Sequence, residues 1–148
     1  MLFGTWDPTR FSIAFGSINA VGFGDGTFIK AMRNEPTFSV RVGADGNVTR
    51  VRNANRTGRF EITLQASSPT NDLMQAQAVL DEQSGGGVNA TFVKDSNTKN
   101  VKAQGANSWI VGYPDLERAK EAGDLTWITE TDIMDLSQGG NNPIPGTL

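Results

Sequence analysis

The sequence predicts a mainly β fold with one α-helix, and three observations favour this class. Glycine is frequent, at 17 of 148 residues, and β-branched residues and phenylalanine are common, as is typical of short strands joined by tight turns. Apolar and polar residues alternate with a period of two in several segments. A single segment combines the start and stop signals of a helix. The length suits one self-contained core, so we expect a single domain over residues 1–148.

The first half of the chain contains several segments that alternate like half-buried strands. These segments are residues 11–15, 27–30, 38–42, 48–52 and 60–65. Between the third and the fourth, Asp45-Gly46 predicts a hairpin turn, because glycine accepts a positive φ without strain. In the last segment Phe60, Ile62 and Leu64 share one face, which we expect to be buried in the core.

The helix is predicted over about residues 69–83. Ser68 is suited to cap its first turn, Pro69 to occupy the first helical position, and Asp72 to complement the positive end of the macrodipole. Three glycines at positions 85–87 end the helix. The apolar stripe that we expect to pack against the sheet consists of Leu73, Ala76 and Leu80.

The second half of the chain returns to β structure. The predicted elements are a hairpin of residues 88–94 and 100–104 that turns at 95–97, an extended piece at 109–113 and a last strand at 125–132. Residues 114–123 have the composition of a helix but lie between two strands, so both structures stay open there. Residues 137–148 are rich in glycine, asparagine and proline, and we expect an irregular tail.

Cysteine and histidine are both absent from the sequence. Their absence excludes disulfides, thiolate nucleophiles, thiolate metal sites and histidine bases. Carboxylate pairs such as Glu130 with Asp132 are expected by coincidence in a chain with 16 acidic residues, and they do not indicate a sugar-cleaving site. We therefore expect a protein that is not an enzyme, with no catalytic residue, metal or cofactor.

The charge and the hydropathy of the chain also exclude some partners. The net charge is −3 and the pI is near 4.9, which disfavours tight binding of nucleic acid. No apolar run approaches the roughly 18 residues that cross a bilayer, and residues 1–6 lack the pattern of a secretory signal. We expect no membrane association.

Four arginines cluster in the segment that follows the predicted hairpin turn. They are Arg50, Arg52, Arg56 and Arg59. Three interpretations are open: a contact with an acidic patch on an identical neighbour, a solvated hairpin, or a phosphate-binding loop. In a chain of negative net charge, a local group of arginines favours the contact between copies.

The order of these motifs resembles the tail tube proteins of contractile-tailed bacteriophages. The resemblance spans roughly residues 11–136 and depends on the ordered set, because each motif alone is only a turn, a strand or a cap. The motifs are residues 42–46, the arginine-rich connection ending at Thr57-Gly58, residues 60–64, residues 67–71, Lys94-Asp95, residues 119–121 and Trp127.

The resemblance implies a β-sandwich or half-barrel subunit with one flanking helix and no catalytic residues. It implies homohexameric rings that stack into a hollow tube in the virion, assembled in the host cytoplasm. DNA and a tape-measure protein would occupy the channel without sequence-specific binding, a sheath would surround the tube, and a baseplate and a tail terminator would meet its ends. Residues 1–10 would form an N-terminal arm, residues 11–136 the tube domain and residues 137–148 the tail.

Three groups of residues are candidates for assembly. We expect a polar strand face to line the channel, because a wall of acidic and neutral groups does not adhere to DNA; this face consists of Ser39, Arg41, Glu61, Thr63 and Gln65. Arg41 could bind phosphate, and it would be tolerated on this wall if a carboxylate such as Glu61 lies across the strand pair and neutralises it. The contact between subunits or rings is assigned to Asp45, Arg50, Arg52, Arg56 and Arg59. Phe3 and Trp6 are candidates for contacts of the N-terminal arm, because large aromatic residues on a surface usually touch a partner.

Two alternatives remain at this point. A tube protein of a bacterial contractile injection system would share the fold and the assembly. A carbohydrate-binding β-sandwich would use Trp109, Tyr113 and Trp127, although Trp127 alternates within its strand as a core residue does.

Overall fold

The computed structural model describes residues 6–96 and 100–138, and within them the fold is mainly β with one α-helix, as predicted. A short 3-10 turn at Pro8–Arg10 precedes the first strand. The strands are Phe11–Phe15 (β1), Ile18–Asn19 (β2), Ile29–Arg33 (β3), Phe38–Val42 (β4), Val48–Arg52 (β5), Gly58–Gln65 (β6), Asn89–Asp95 (β7), Asn100–Gly112 (β8), Asp124–Thr131 (β9) and Asp135–Leu136 (β10), and the helix is Thr70–Ser84 (α1).

Eight of these strands form one antiparallel sheet in the order β2-β1-β7-β8-β9-β6-β3, with β10 paired to β8. The sheet is curled, as shown by contacts between aromatic side chains near its two edges. Phe11 of β1 packs edge-on against Phe28, which precedes β3, at 5.6 Å between ring centroids. Phe23 stacks on Phe28 at 4.9 Å and bridges to Leu64 of β6. The sheet is therefore a half-barrel closed by side chains.

The inner face of the half-barrel holds the core. Phe60, Ile62 and Leu64 of β6 are all buried, which confirms the prediction for this strand. Trp127 of β9 lies beside them, and its indole Nε1 donates a hydrogen bond to Asn71 Oδ1 of α1 at 2.9 Å. The remaining large core residues are Ile13, Phe15, Ile18, Met74, Val93 and Met134. Each such buried side chain stabilises the fold by about 1.5–3 kcal/mol.

The helix begins at Thr70, within one residue of the prediction, but its buried face is not the predicted one. The stripe of Leu73, Ala76 and Leu80 is exposed, so that prediction is wrong. The buried face of the helix consists of Thr70, Asn71, Met74 and Ala78.

Polar contacts at the start of the helix explain this rotation. Thr70 Oγ1 accepts the N–H of Val21, and the Asn71 amide donates to the carbonyl of Gln65. Ser68 Oγ accepts the N–H of Thr70, as its predicted capping role requires. These bonds turn the polar first residues inward and leave the leucines outside.

The second half of the chain agrees with the prediction except in its connections. The hairpin of β7 and β8 is present. Of the turn predicted at residues 95–97, Asp95 belongs to β7, and residue 97 lies outside the described residues. The piece at 109–113 is the end of the long strand β8 and not a separate strand. Residues 113–123 contain no helix, because Pro114 and Gly123 break a segment that only spans from β8 to β9. Residues 1–5 and the tail beyond residue 138 lie outside the described residues.

Two glycines in β8 provide a matched test of how tightly the half-barrel is packed. A Cβ added to Gly105 would overlap the buried side chain of Thr131, whereas a Cβ on Gly112 would meet nothing within 4 Å. Gly105→Ala is therefore expected to lower the free energy of unfolding by about 1–3 kcal/mol. Gly112→Ala should change it by less than about 0.5 kcal/mol. Urea unfolding of the unassembled subunit, followed by tryptophan fluorescence, measures both, and equal effects would contradict this packing.

Candidate assembly surfaces

The strands β4 and β5 project from the half-barrel as a separate hairpin, which we call the hairpin arm (residues 38–52). They pair with each other and with no other described strand, and all ten of their residues are exposed. The turn at the tip follows the predicted chemistry. Gly46 has φ +86°, its N–H donates to the carbonyl of Gly43, and the Asp45 carboxylate accepts the N–H of Asn47.

A polar stem joins the hairpin arm to the sheet. The N–H of Asn34 donates to the carbonyl of Thr57 at 3.0 Å, and the N–H of Asn53 donates to the carbonyl of Thr37 at 2.7 Å. The Asn53 amide also donates to the Glu35 carboxylate at 2.6 Å. These bonds continue the pairing of β3 with β6 toward the arm, so the direction in which the arm leaves the sheet is fixed by hydrogen bonds.

The two faces of the hairpin arm differ in chemistry. Cross-strand partners share a face, and the register therefore places Phe38, Val40, Val42, Val48, Arg50 and Arg52 together. Phe38 is 49% exposed and Val40 67% exposed, and the Arg50 guanidinium lies 4.7 Å from the centroid of the Phe38 ring. We call this surface the apolar-basic face. The opposite face carries Ser39, Arg41, Thr49 and Val51.

The sequence pattern predicts a strand for the apolar residues of this face but no assembly role. Their alternation predicted a strand, but a pattern of period two does not reveal whether any other element covers its apolar side. The arginines directly across the strand pair were the available signal, because Arg at positions opposite Phe38 and Val40 is unusual for a core.

The arginine cluster of the sequence divides into two pairs. Arg56 lies 3.3 Å from a carboxylate oxygen of Asp135, and Arg59 lies 3.4 Å from one of Glu130, so both are tied to their own sheet. Arg50 and Arg52 lie on the arm and, among the described residues, form no ion pair. Of the residues assigned to contacts between subunits, Asp45, Arg50 and Arg52 are thus on the projecting hairpin.

The outer face of β6 is polar. Glu61 and Thr63 are half-buried and Gln65 is exposed. Thr63 Oγ1 and Thr126 Oγ1 of β9 are hydrogen-bonded at 3.0 Å, and the Gln65 amide donates to the carbonyl of Phe23. Charged side chains of both signs share this face and its two neighbouring strands. They are Lys30 and Arg59 against Glu61, Asp124 and Glu130.

Within the subunit, Glu61 does not lie across a strand pair from Arg41. Arg41 lies opposite Thr49 in the arm, whereas Glu61 lies between Lys30 of β3 and Ile128 of β9. The reason is that the chain bends out of the sheet after β3, so β4 never runs beside β6. Ser39 and Arg41 consequently lie beyond the sheet that carries the other three predicted channel residues.

The aromatic residues considered for sugar binding do not form one platform. Trp127 is 2% exposed and belongs to the core, whereas Tyr113 is exposed. The Tyr113 hydroxyl donates to the Glu82 carboxylate at 2.6 Å, and this hydrogen bond raises the pKa of Tyr113 above its usual range. Trp109 is half-buried on β8. The three side chains therefore do not present a common stacking surface.

Two residues, Phe3 and Trp6, are predicted to make contacts of the N-terminal arm (residues 1–10), and Trp6 lies at the start of the described chain. Trp6 is 51% exposed and packs edge-on against Phe11 at 6.1 Å. Phe3 lies outside the described residues. A contact of Trp6 with another subunit stays a prediction.

The described residues contain no group of three or more acidic side chains placed to hold a metal ion. The single helix described, α1, is too short and too polar to span a bilayer. What the surface offers is a projecting arm, a polar sheet face and an exposed helix.

Comparisons with known proteins point in one direction. A family model described as the bacteriophage PhiTE tail tube protein matches residues 11–139. The structural protein ORF10 of Pseudomonas phage KPP10 is 25% identical over 148 residues, which cover 95% of this chain and 85% of that protein.

Solved structures share the fold at low identity. The tube-terminating cap of the anti-feeding prophage has a TM-score of 0.62 and 10% identity, with 93% of each chain covered. A chain of the PVC extracellular contractile injection system, in the extended sheath–tube complex, has a TM-score of 0.56 and 10% identity over 88% of this chain and 91% of that one. These likenesses show the fold alone, whereas the family model extends over nearly the whole described sheet and helix. The chain therefore belongs to the bacteriophage PhiTE tail tube protein family.

Proposed function

We propose that the protein is the subunit of a hollow phage tail tube, in which homohexameric rings stack head to tail and conduct DNA to the host. In this role it is a component of the virion, assembled in the host cytoplasm, and it catalyses no reaction. A sheath lies outside the tube, a tape-measure protein fills it before DNA passes, and a baseplate and a terminator meet its two ends.

The hairpin arm is the observation that carries this proposal. A two-stranded hairpin is marginally stable alone in water, and this one leaves Phe38 and three valines of its apolar-basic face uncovered. Such a surface is expected where another chain will cover it. Because one arm reaches away from each subunit, a repeated contact with identical neighbours would link many copies, which is what a tube requires.

The polar face of β6, on the side of the sheet away from the core, is the feature that favours a channel wall. We propose that Glu61, Thr63 and Gln65 line it, with Ser39 and Arg41 continuing the wall on the arm. The sheet face that includes β3 and β9 carries two cations against three carboxylates, so it offers no net positive surface to phosphate. Arg59, one of the two basic residues of this face, is already paired with Glu130.

The position of α1 indicates which side of the subunit would face away from the channel. α1 packs on the inner, core side of the curled sheet, opposite the polar wall, so a subunit with its wall toward a channel turns α1 away from it. Leu73 and Leu80 are exposed on that side. We propose that this side faces the sheath, as the similarity to a chain of a sheath–tube complex also favours.

A tube of a bacterial contractile injection system is the second candidate, because one similar solved structure is a chain of an extracellular contractile injection system. The match to a phage family and the phage relative favour the virion.

Electron microscopy of the purified protein tests the assembly. At high concentration we expect six-membered rings with a central channel, stacked into tubes, because a heterologous contact that closes by rotation gives rings. A different symmetry, or particles without a channel, would show the proposal to be wrong.

The two faces of the hairpin arm predict different responses to the same substitution. Val40→Asp should block assembly, because it places a charge in a contact that becomes apolar on burial. Thr49→Asp, on the opposite face, should assemble like the wild type, because that face is proposed to border the channel. Both residues are exposed, so thermal unfolding of the two monomers should be nearly unchanged. Sedimentation of the assembled fraction measures the difference, and equal polymerisation of both variants would remove this face from the contact.

Cysteine labelling tests the channel wall, since the chain has no cysteine of its own. Glu61→Cys and Gln65→Cys should resist a maleimide too bulky for the channel in intact tubes and react readily in dissociated subunits. Leu80→Cys on the exposed helix is the control and should react in both states. Fast labelling of Gln65→Cys on intact tubes would place the polar face outside.

A further inference from the structure

The two ends of β6 lead to different parts of the subunit. The stem of the hairpin arm enters the strand at Gly58, its first residue. Its last residue, Gln65, pairs with Asp124, where the chain enters β9. Eight residues at about 3.3 Å per step separate the two ends by roughly 23 Å. Features at the Asp124 end therefore lie far from the stem of the molecule's own arm.

A groove of about 460 Å³ lies at the Asp124 end, between β9 and the end of β8 with the segment that follows it. Its residues Asp124, Thr126 and Ile128 are the β9 partners of Gln65, Thr63 and Glu61, so the groove lies at the end of the polar sheet face. We call it the end groove. Val111, Leu125 and Ile128 give it an apolar lining, and within the described part of the chain no lysine or arginine lines it. Three exposed carboxylates contribute to its wall, and among the described residues they form no ion pair; they are Asp115, Glu117 and Asp124.

The end groove and the apolar-basic face of the arm are complementary. The face presents Phe38 and Val40 beside Arg52, whose guanidinium has no carboxylate partner among the described residues. The groove presents apolar side chains beside carboxylates that lack a cationic partner. Each surface holds what the other lacks, and arginine pairs with carboxylates in well-defined bidentate geometry.

We propose that the hairpin arm of one copy seats its apolar-basic face in the end groove of the next copy. This inference rests on the proposed tube and names the two surfaces that meet when rings stack. A contact between two arms is disfavoured, because it would bring Arg50 and Arg52 of both copies together. Since arm and groove lie at opposite ends of β6, the contact is head to tail and repeats along an axis.

Charge reversal on each side tests the pairing in the full-length protein. The arm variant Arg50→Glu/Arg52→Glu and the groove variant Asp115→Lys/Asp124→Lys should each raise the critical concentration for tube formation at least about tenfold, since each creates like-charge contacts. A chain carrying all four substitutions restores opposite charges and should polymerise within about threefold of the wild type. A control with an acidic residue of α1 reversed, Asp72→Lys, lies outside the groove and should behave like the wild type.

The outcomes separate the two proposals. If the wild type forms no channelled tube, the proposed function fails. If the wild type forms tubes but the groove variant polymerises equally well, or the four-substitution chain is no better than the variants with two, the end groove is not the seat of the arm. Thermal unfolding of each monomer establishes that lost assembly is not lost folding.

A disulfide provides a second, geometric test. The pair Val40→Cys and Thr126→Cys places one thiol on the arm and one in the groove, in a chain with no other cysteine. Mild oxidation of assembled protein should give a ladder of covalent multimers on a non-reducing gel, whereas either single variant should stop at dimers. Tubes that give no ladder would overturn the assignment of the groove.

Discussion

The antiparallel pairing of β6 with β3 on one side and β9 on the other is the interaction on which the rest of the subunit depends. Because side chains alternate along a strand, this one element places Phe60, Ile62 and Leu64 in the core and Glu61, Thr63 and Gln65 on the polar side. A register slip by one residue would exchange the two sets. The pairing is held over all eight residues by β9, so the slip would cost every buried contact at once.

The same ribbon also determines where the hairpin arm points. Beyond Gly58 the hydrogen bonds of Asn34 and Asn53 continue the β3–β6 pairing toward the arm. The hairpin arm therefore extends away from the sheet, and no other described strand covers its apolar residues. Arg50 and Arg52 lie among the exposed apolar side chains of the arm, and like charges on this face oppose a contact between two arms.

Local patterns predicted most of the elements but not what covers them. The period of two in residues 60–65 was sufficient for β6, because its buried face is continuous along the strand. The rotation of α1 was not predictable from apolar spacing, since it is set by bonds from Thr70 and Asn71 to distant or preceding backbone. The four arginines form one cluster in the sequence. In the structure Arg56 pairs with Asp135 and Arg59 with Glu130, which are 79 and 71 residues away along the chain. The isolation of β4 from β6 is likewise a long-range property: the alternation of Phe38, Val40 and Val42 is the same whether or not a second layer lies over it.

If the apolar-basic face of one subunit binds the end groove of the next, assembly has a property that follows from geometry alone. Such a contact is heterologous, so every added ring exposes a fresh arm or a fresh groove identical to the one just covered, and the interaction contains no stopping point. The free energy of adding a ring is the same at any length, and the subunit alone therefore cannot define the length of a tube. Under the proposed function, length must come from components that differ from the subunit, through a protein of fixed extent inside the channel or a cap that covers the last surface. Under the proposed contact, the chemistry of the two ends also limits what can cap them. One end would need a partner that accepts an apolar, arginine-bearing hairpin, and the other a partner with cations for three carboxylates beside an apolar groove.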